Sequence, residues 1–221
     1  VDMDPQGNTT SGLGIDKNSL EKTIYEVIGG ELEIKEVIIE ELFENLSLLP
    51  ANRDLAGAEI ELITTENMQY IVKEKLSEVR DEYDYIILDT PPALSVLTIN
   101  AYTASDELVI PMLCEILSLQ GIAQLKQTIF AVQRYYNKNL KVRGILLNKY
   151  NSRLTLTREV EELAQMIAEQ LDTSILNSKI SASVGIAEAP AHGESIMTYS
   201  PKSKAAREFN DFIDEITGTT K

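Results

Sequence analysis

The sequence contains one cysteine, Cys114, so it closes no intrachain disulfide, and that usage fits a reducing cytosol. It has no run of about 18 apolar residues, which excludes a membrane-spanning helix. No basic-then-apolar stretch opens the chain, so no signal peptide is visible. There is a single histidine, His192, and a nucleophile–base pair with Cys114 is conceivable on residue types alone. Cys114 follows Val109-Ile110-Pro111, however, and reads as a small buried hydrophobe. Bases are scarce: 20 Lys and Arg stand against 35 Asp and Glu, a net charge of −15. Such acidity argues against a surface that binds nucleic acid all over.

With 43% hydrophobic and 25% charged residues over 221 positions, the chain can bury a large core as one domain spanning 1–221, without disulfides or a structural metal. Its apolar content excludes disorder as the main state. The charge is unevenly spread. Residues 1–89 carry 21 acids and 7 bases, whereas the remainder is nearly balanced. Between Arg134 and Arg158 lie seven bases and no acid: Arg134, Lys138, Lys141, Arg143, Lys149, Arg153 and Arg158. Clustered positive charge can neutralise phosphates. The same run is also what a solvated face around a buried strand produces.

Periodicity predicts alternating strands and helices. Residues 1–4 read as the tail of a strand, followed by a turn-rich loop over 5–12. Helical spacing covers 20–28, with Asn18 as a cap and Gly29-Gly30 as the stop, and then 34–43. A short strand fits 46–50, and a helix fits 67–82. Continuous apolar runs at 85–88, 108–111 and 142–147 predict buried parallel strands. Helices are predicted over 118–136, 155–171 and from Ser200 or Pro201 to about 216, with a weak strand at 174–176. This order means an α/β fold: a mostly parallel, twisted sheet with helices on both faces.

In open α/β sheets, ligands sit at the carboxyl ends of the strands. Two strand ends here carry chemistry: Asp2-Met3-Asp4-Pro5-Gln6-Gly7-Asn8, and Asp89-Thr90-Pro91-Pro92. An aspartate directly after Tyr85-Ile86-Ile87-Leu88 is where magnesium–phosphate enzymes place a metal-orienting carboxylate. Magnesium keeps most of its waters, so a carboxylate acting through water suffices.

The segments Val1 to Gly14, Tyr85 to Pro92, Gly144 to Arg153 and Glu188 to Ala206 resemble the ParA/MinD/Soj family of deviant P-loop partition ATPases, of the SIMIBI class. Glu188-Ala189-Pro190-Ala191-His192-Gly193 and Tyr199-Ser200-Pro201-Lys202-Ser203 are typical of its chromosome-partition branch. The resemblance implies ATP and Mg2+ as cofactors. It implies that Asp4 orients the attacking water and that Asp89 holds a magnesium-bound water, with Asp2 near the metal. Gln6, Gly7 and Asn8 would form the first switch, and Thr90 and Pro91 would open the second. Asn148 would hydrogen-bond the adenine, and Pro190 would lie in the segment lining the base. It further implies a cytoplasmic, nucleoid-associated homodimer that binds DNA without sequence preference, stays off membranes, and is stimulated by a DNA-bound ParB-like partner. The last helix carries Glu208, Asp211, Asp214 and Glu215, too acidic for a basic membrane anchor.

The sequence departs from the family in two places. No Gly-Lys dipeptide occurs, so the glycine-rich phosphate loop ending Gly-Lys-Thr is missing. The expectation is a family member lacking the N-terminal strand and that loop, which leaves a catalytically inactive remnant or interaction module as the alternative reading. Backbone amides that cradle phosphates cannot be replaced by distant residues. A metabolic enzyme on the same scaffold is a third possibility, without a substrate motif to support it. The second departure is that Ala182 and Gly185 stand where relatives often carry bases. Arg153 matches one family DNA-contact position, and DNA binding is therefore expected to be weakened or moved, onto Lys138, Lys141 and Lys149.

Overall fold

Residues Asp2 and Asp89 meet as a parallel bridge, and this pairing fixes the part of the fold that matters for the site. The structure is a computed structural model describing residues 1–219. Two units can be distinguished: Val1–Ser105 with Ala131–Lys138, and Asp106–Phe130 with Asn139–Lys221.

The first unit contains α1 (Asn8–Gly12), α2 (Ile24–Ile28), β1 (Ile39–Phe43), β2 (Leu46–Leu48), α3 (Leu55–Ile63), α4 (Ile71–Ser77) and α5 (Val96–Ala104). Helix α2 starts later than its apolar spacing suggests, because Thr23 caps it. Thr23 and Glu26 form a reciprocal capping box, and Gly29 ends the helix. Ahead of it, Lys17–Ser19 is a single 3-10 turn capped by Asp16, not by Asn18.

The helix expected over 34–43 is absent. Ile34–Glu36 makes one 3-10 turn that buries Ile34, and β1 then pairs with β2 as an antiparallel hairpin. The β-branched run Val37-Ile38-Ile39 favours extended backbone. Asn45 adopts φ 59°, the left-handed conformation that closes a tight turn. The helix expected over 67–82 survives as α4 flanked by 3-10 turns at Met68–Tyr70 and Arg80–Glu82, and it buries Val72, Leu76 and Val79.

Residues 85–88 do not form the buried strand expected of them. Tyr85 is 68% exposed and Ile87 is 79% exposed. The segment pairs on one side only. Val1 N donates to Ile87 O, and Asp89 N donates to Val1 O. Among the described residues, the backbone groups of Ile86 and Leu88 have no partner. An apolar sequence is buried only if something packs on it, and here one edge is bare.

The second unit holds β3 (Glu107–Leu113), most of α6 (Ile116–Tyr135), β4 (Lys141–Tyr150), α7 (Thr155–Gln170), β5 (Ile175–Ser181), α8 (Val184–Glu188), α9 (Ile196–Tyr199) and α10 (Lys204–Thr217). Its sheet is parallel, in the order β3-β4-β5. Strand β4 buries four consecutive residues, Gly144 to Leu147, the mark of a strand covered on both faces. Leu146 joins Leu176 and Ile180 in a core with Phe209, Phe212 and Ile216 of α10. Helix α7 contacts β4 and β5 and buries Val160, Ala164 and Ala168. Gly144 permits the close approach of β5: a Cβ there would lie 2.5 Å from a Leu176 methyl.

Helix α10 also closes the outer edge of β5. Glu215 accepts hydrogen bonds from Asn177 N at 2.7 Å and Ser178 N at 2.8 Å. Glu208 accepts from Ser181 N at 2.8 Å and Ser181 Oγ at 2.7 Å. Two carboxylates thus stand in for a neighbouring strand.

Candidate active site

The backbone pairing carries the segment 1–4 alongside 87–89. Met3 N donates to Asp89 O at 2.8 Å and Asp89 N to Val1 O at 2.9 Å, so Asp2 is the residue opposite Asp89 and Asp4 lies two residues further along the paired segment. The chain then turns sharply. Asp4 O accepts from Gly7 N at 2.8 Å, and Asp4 Oδ1 accepts from Gln6 N at 2.9 Å. Gly7 has φ 58°, and a Cβ there would lie 2.8 Å from Ala51 O and 2.8 Å from Lys17 Cδ. Only glycine fits this corner without displacing backbone. Lys17 Nζ donates to Gln6 O, pinning the turn from outside.

The aspartates differ sharply in environment. Asp2 is fully buried. Its Oδ2 accepts from Thr10 N at 2.8 Å and Thr10 Oγ1 at 2.7 Å, and its Oδ1 accepts from Asp4 N at 3.2 Å. Burial pushes its carboxyl above the usual range, against the pull of those hydrogen bonds, and the neighbouring Asp89 adds to the rise. With both oxygens engaged and no exposure, Asp2 braces the turn and presents no open position to a metal. Asp89 is exposed, and one of its oxygens accepts from Thr9 Oγ1. Asp4 is half-buried, and its second oxygen has no partner among the described residues.

Two threonines are absent from the set that motif reasoning selects. Thr9 and Thr10, in the first turn of α1, each take one aspartate: Thr9 reaches Asp89 and Thr10 reaches Asp2. Thr10 Oγ1 also accepts from Ala51 N at 3.0 Å. Their signal in the sequence is a pair of hydroxyls directly after Asn8, which resembles ordinary turn composition. Thr90 and Pro91 continue from Asp89 as half-buried, non-helical chain before Ser95 caps α5. Gln6 and Asn8 are exposed.

Among the described residues, no group of three or more His, Cys, Asp or Glu side chains could hold a metal alone. A magnesium ion bound through its waters and through phosphate oxygens needs fewer protein ligands. The free oxygens of Asp89 and Asp4 fit that requirement; Asp2 does not.

In the second unit, Asn148 lies near the carboxyl end of β4, between Leu113 of β3 and Ile180 of β5 in register. Its Oδ1 accepts from Lys149 N at 2.8 Å, and its Nδ2 has no partner among the described residues. Pro190 is exposed in the 3-10 turn Ala189–His192, next to a stack of His192 on Tyr199 at 5.4 Å. Cys114 is buried, and burial, with Glu161 next, pushes its thiol up, which suits packing rather than nucleophilic work.

The basic stretch is divided by the fold. Arg143 donates to the Glu215 and Ile216 carbonyls at the end of α10, and Arg158 donates to Ser152 O. Lys141 opens β4 and Lys149 nearly closes it, about 26 Å apart at ~3.3 Å per residue. Lys149 and Arg153 therefore share the ligand end of the sheet, whereas Lys141 lies at the other. Lys138 belongs to the first unit. Neither Lys149 nor Arg153 has an ion-pair partner among the described residues.

Comparison with known proteins places these features in context. A family described as "AAA domain" matches residues 1–142. The chain is 41% identical over 217 residues to the sporulation initiation inhibitor protein Soj of Bacillus subtilis, covering 98% of this chain and 84% of that protein. It is 39% identical over 210 residues to the chromosome partitioning protein ParA of Myxococcus xanthus, covering 95% of this chain and 73% of that protein. Among solved structures, cobyrinic acid a,c-diamide synthase from Mycobacterium smegmatis, with bound ADP and magnesium, is 33% identical. That match has a TM-score of 0.81 and covers 96% of this chain and 78% of the other.

Proposed function

Because the chain belongs to the ParA/MinD/Soj family of deviant P-loop ATPases, we propose that it serves DNA partitioning as the γ-phosphate side of an ATP site. The observation that supports this reading is the Asp2–Asp89 pairing, which brings the segment that holds Asp4 alongside the segment that ends in Asp89.

The residues divide the work as follows. Asp4, with one oxygen committed to Gln6 N and one open, holds and orients the attacking water. Magnesium, when bound, neutralises charge on the triphosphate, and Asp89 would hold it through a water. Asp2 keeps the turn rigid through Thr10 and Asp4 N. Gln6, Gly7 and Asn8 sense the γ-phosphate because the turn they form is continuous with Asp4. Thr90 and Pro91 transmit the state of Asp89 to the segment entering α5. Asn148 offers its free Nδ2 to the adenine, and Pro190 borders the base. Phosphoryl transfer needs positioning more than covalent help, and these few groups suffice for it.

In this reading ATP joins two copies of the chain, the dimer binds DNA through Lys149 and Arg153, and a ParB-like partner stimulates hydrolysis. The role is cytoplasmic and nucleoid-associated. A second reading, a non-catalytic interaction module, rests on one observation: none of the 221 residues forms a Gly-Lys dipeptide. A metabolic role like that of the diamide synthase has no substrate motif behind it. The test is nucleotide-dependent association. The chain alone, and the chain joined in frame to a glycine-rich segment ending Gly-Lys-Thr, are measured with ATP and DNA by sedimentation. The ATPase reading expects ATP-dependent dimers and DNA binding in the joined protein. No response in either protein favours the interaction module.

A further inference from the structure

Helix α1 is tied to the site by two hydroxyls of different character. Thr10 is buried, and its bonds to Asp2 and Ala51 are sealed from water. Thr9 is half-buried, and its partner Asp89 is exposed. The first anchor is permanent. The second can be exchanged, because solvent and ions reach the carboxylate.

Electrostatics gives the exchange a direction. Asp2 and Asp89 are bridged neighbours, and the Asp89 carboxylate disfavours charge on Asp2. A hydroxyl donor relieves this only partly, since it brings a dipole and no charge. A divalent cation brings two charges and is the stronger partner for Asp89. Asp2 cannot compete for it, being buried with both oxygens bonded.

We propose that Thr9 is a positioning residue that acts as a latch. Its hydroxyl holds Asp89 against α1 while no metal is present, and it releases the carboxylate when a divalent cation takes it. The latch couples the segment after Asp4 to the segment after Asp89. Release would leave α1 held by Thr10 and by the Gly7 turn, so the helix loses one tie to the site without unfolding. This inference rests on the reading of Asp89 as the carboxylate facing the metal.

The test uses Mn2+ alone as the probe, on the chain as it exists, with electron paramagnetic resonance titration and amide NMR. Removing the competing hydroxyl in Thr9→Ala should tighten Mn2+ binding roughly three- to tenfold, the range that the net contribution of one ordinary hydrogen bond allows. Thr9→Ser should restore the native affinity. In amide spectra, diamagnetic Mg2+ should shift Thr10 and Ser11 in the native chain and leave them in place in Thr9→Ala. A merely structural threonine would not produce that split. Unchanged Mn2+ affinity in Thr9→Ala, with binding still abolished by Asp89→Asn, overturns the latch alone. Binding that survives Asp89→Asn overturns the site reading and the latch with it.

Discussion

Met3 N lies 2.8 Å from Asp89 O, and that one hydrogen bond brings two aspartates far apart in sequence to neighbouring chain ends. Asp4 is the next residue along, and Asp89 accepts from Thr9 of the helix that follows. The part of the candidate site in the first unit is thus built from two short segments and the first turn of α1.

The same pairing leaves the far side of 85–88 bare. Tyr85 and Ile87 are exposed, and Ile86 and Leu88 have unpaired backbone groups among the described residues. Open apolar edges associate. The isolated chain should therefore be poorly soluble or oligomeric in sedimentation velocity, and Ile87→Lys should shift it toward monomer. A monodisperse native monomer that melts cooperatively contradicts this.

Glu208 and Glu215 give the fold a dependence on pH. Burial would raise both carboxyls. For Glu208, the Ser181 bonds and Lys204 outweigh it; for Glu215, the Ser178 and Asn177 bonds do, so both lie below the ordinary value of 4.5. A lowered folded pKa means stabilisation that is in place above the unfolded value and is lost as pH falls through the folded one. Glu215→Ala should cost about 1–3 kcal/mol at pH 7 by urea denaturation. That cost should shrink steadily below pH 4.5. A cost independent of pH would show that the carboxylate charge is not what closes the β5 edge.

Asn137 holds the end of α5. Its Nδ2 donates to Tyr102 O at 3.1 Å, Thr103 O at 3.2 Å and Ser105 O at 2.7 Å. Asn137→Ala should lower stability by about 1–3 kcal/mol, because several carbonyls lose a donor together. Asn137→Asp should cost more, since it turns negative charge on those oxygens. Thermal melts of the two variants check the order.

Lys149 and Arg153 flank the carboxyl end of β4, and Lys141 stands at its start. In DNA titrations across salt concentrations, Lys149→Ala and Arg153→Ala should each weaken binding and reduce the salt slope by about one. Lys141→Ala should have a smaller effect. Unchanged binding and salt slope in Lys149→Ala and Arg153→Ala would place the DNA surface elsewhere.

How much of this could be read from residues alone follows from where the signal is local. The buried run from Gly144 to Leu147 declares a covered strand, and β3, β4, α6 and α7 emerge close to their expected places. Asp89 is visible because it ends the apolar run 85–88, and Asp4 because it sits in the motif Asp2-Met3-Asp4-Pro5-Gln6-Gly7-Asn8. The segment 34–43 misleads because Ile34, Val37 and Ile38 repeat at helical spacing, and only Asn45 at φ 59° reveals the hairpin. Residues 85–88 carry the composition of a buried strand, yet burial depends on a neighbour that no local pattern specifies. Thr9 and Thr10 become meaningful only when the fold brings Asp89 and Asp2 to them. Likewise, the acids of α10 look like a solvated face until Glu208 and Glu215 are seen against β5.

The most direct test is single-turnover ATP hydrolysis by the chain joined to a glycine-rich Gly-Lys-Thr segment, with nucleotide binding measured in parallel. If Asp4 orients the water and Asp89 serves the metal beside it, Asp4→Ala should retain ATP binding and lose hydrolysis by at least about a hundredfold. Hydrolysis at an unchanged rate in Asp4→Ala would contradict the shared site.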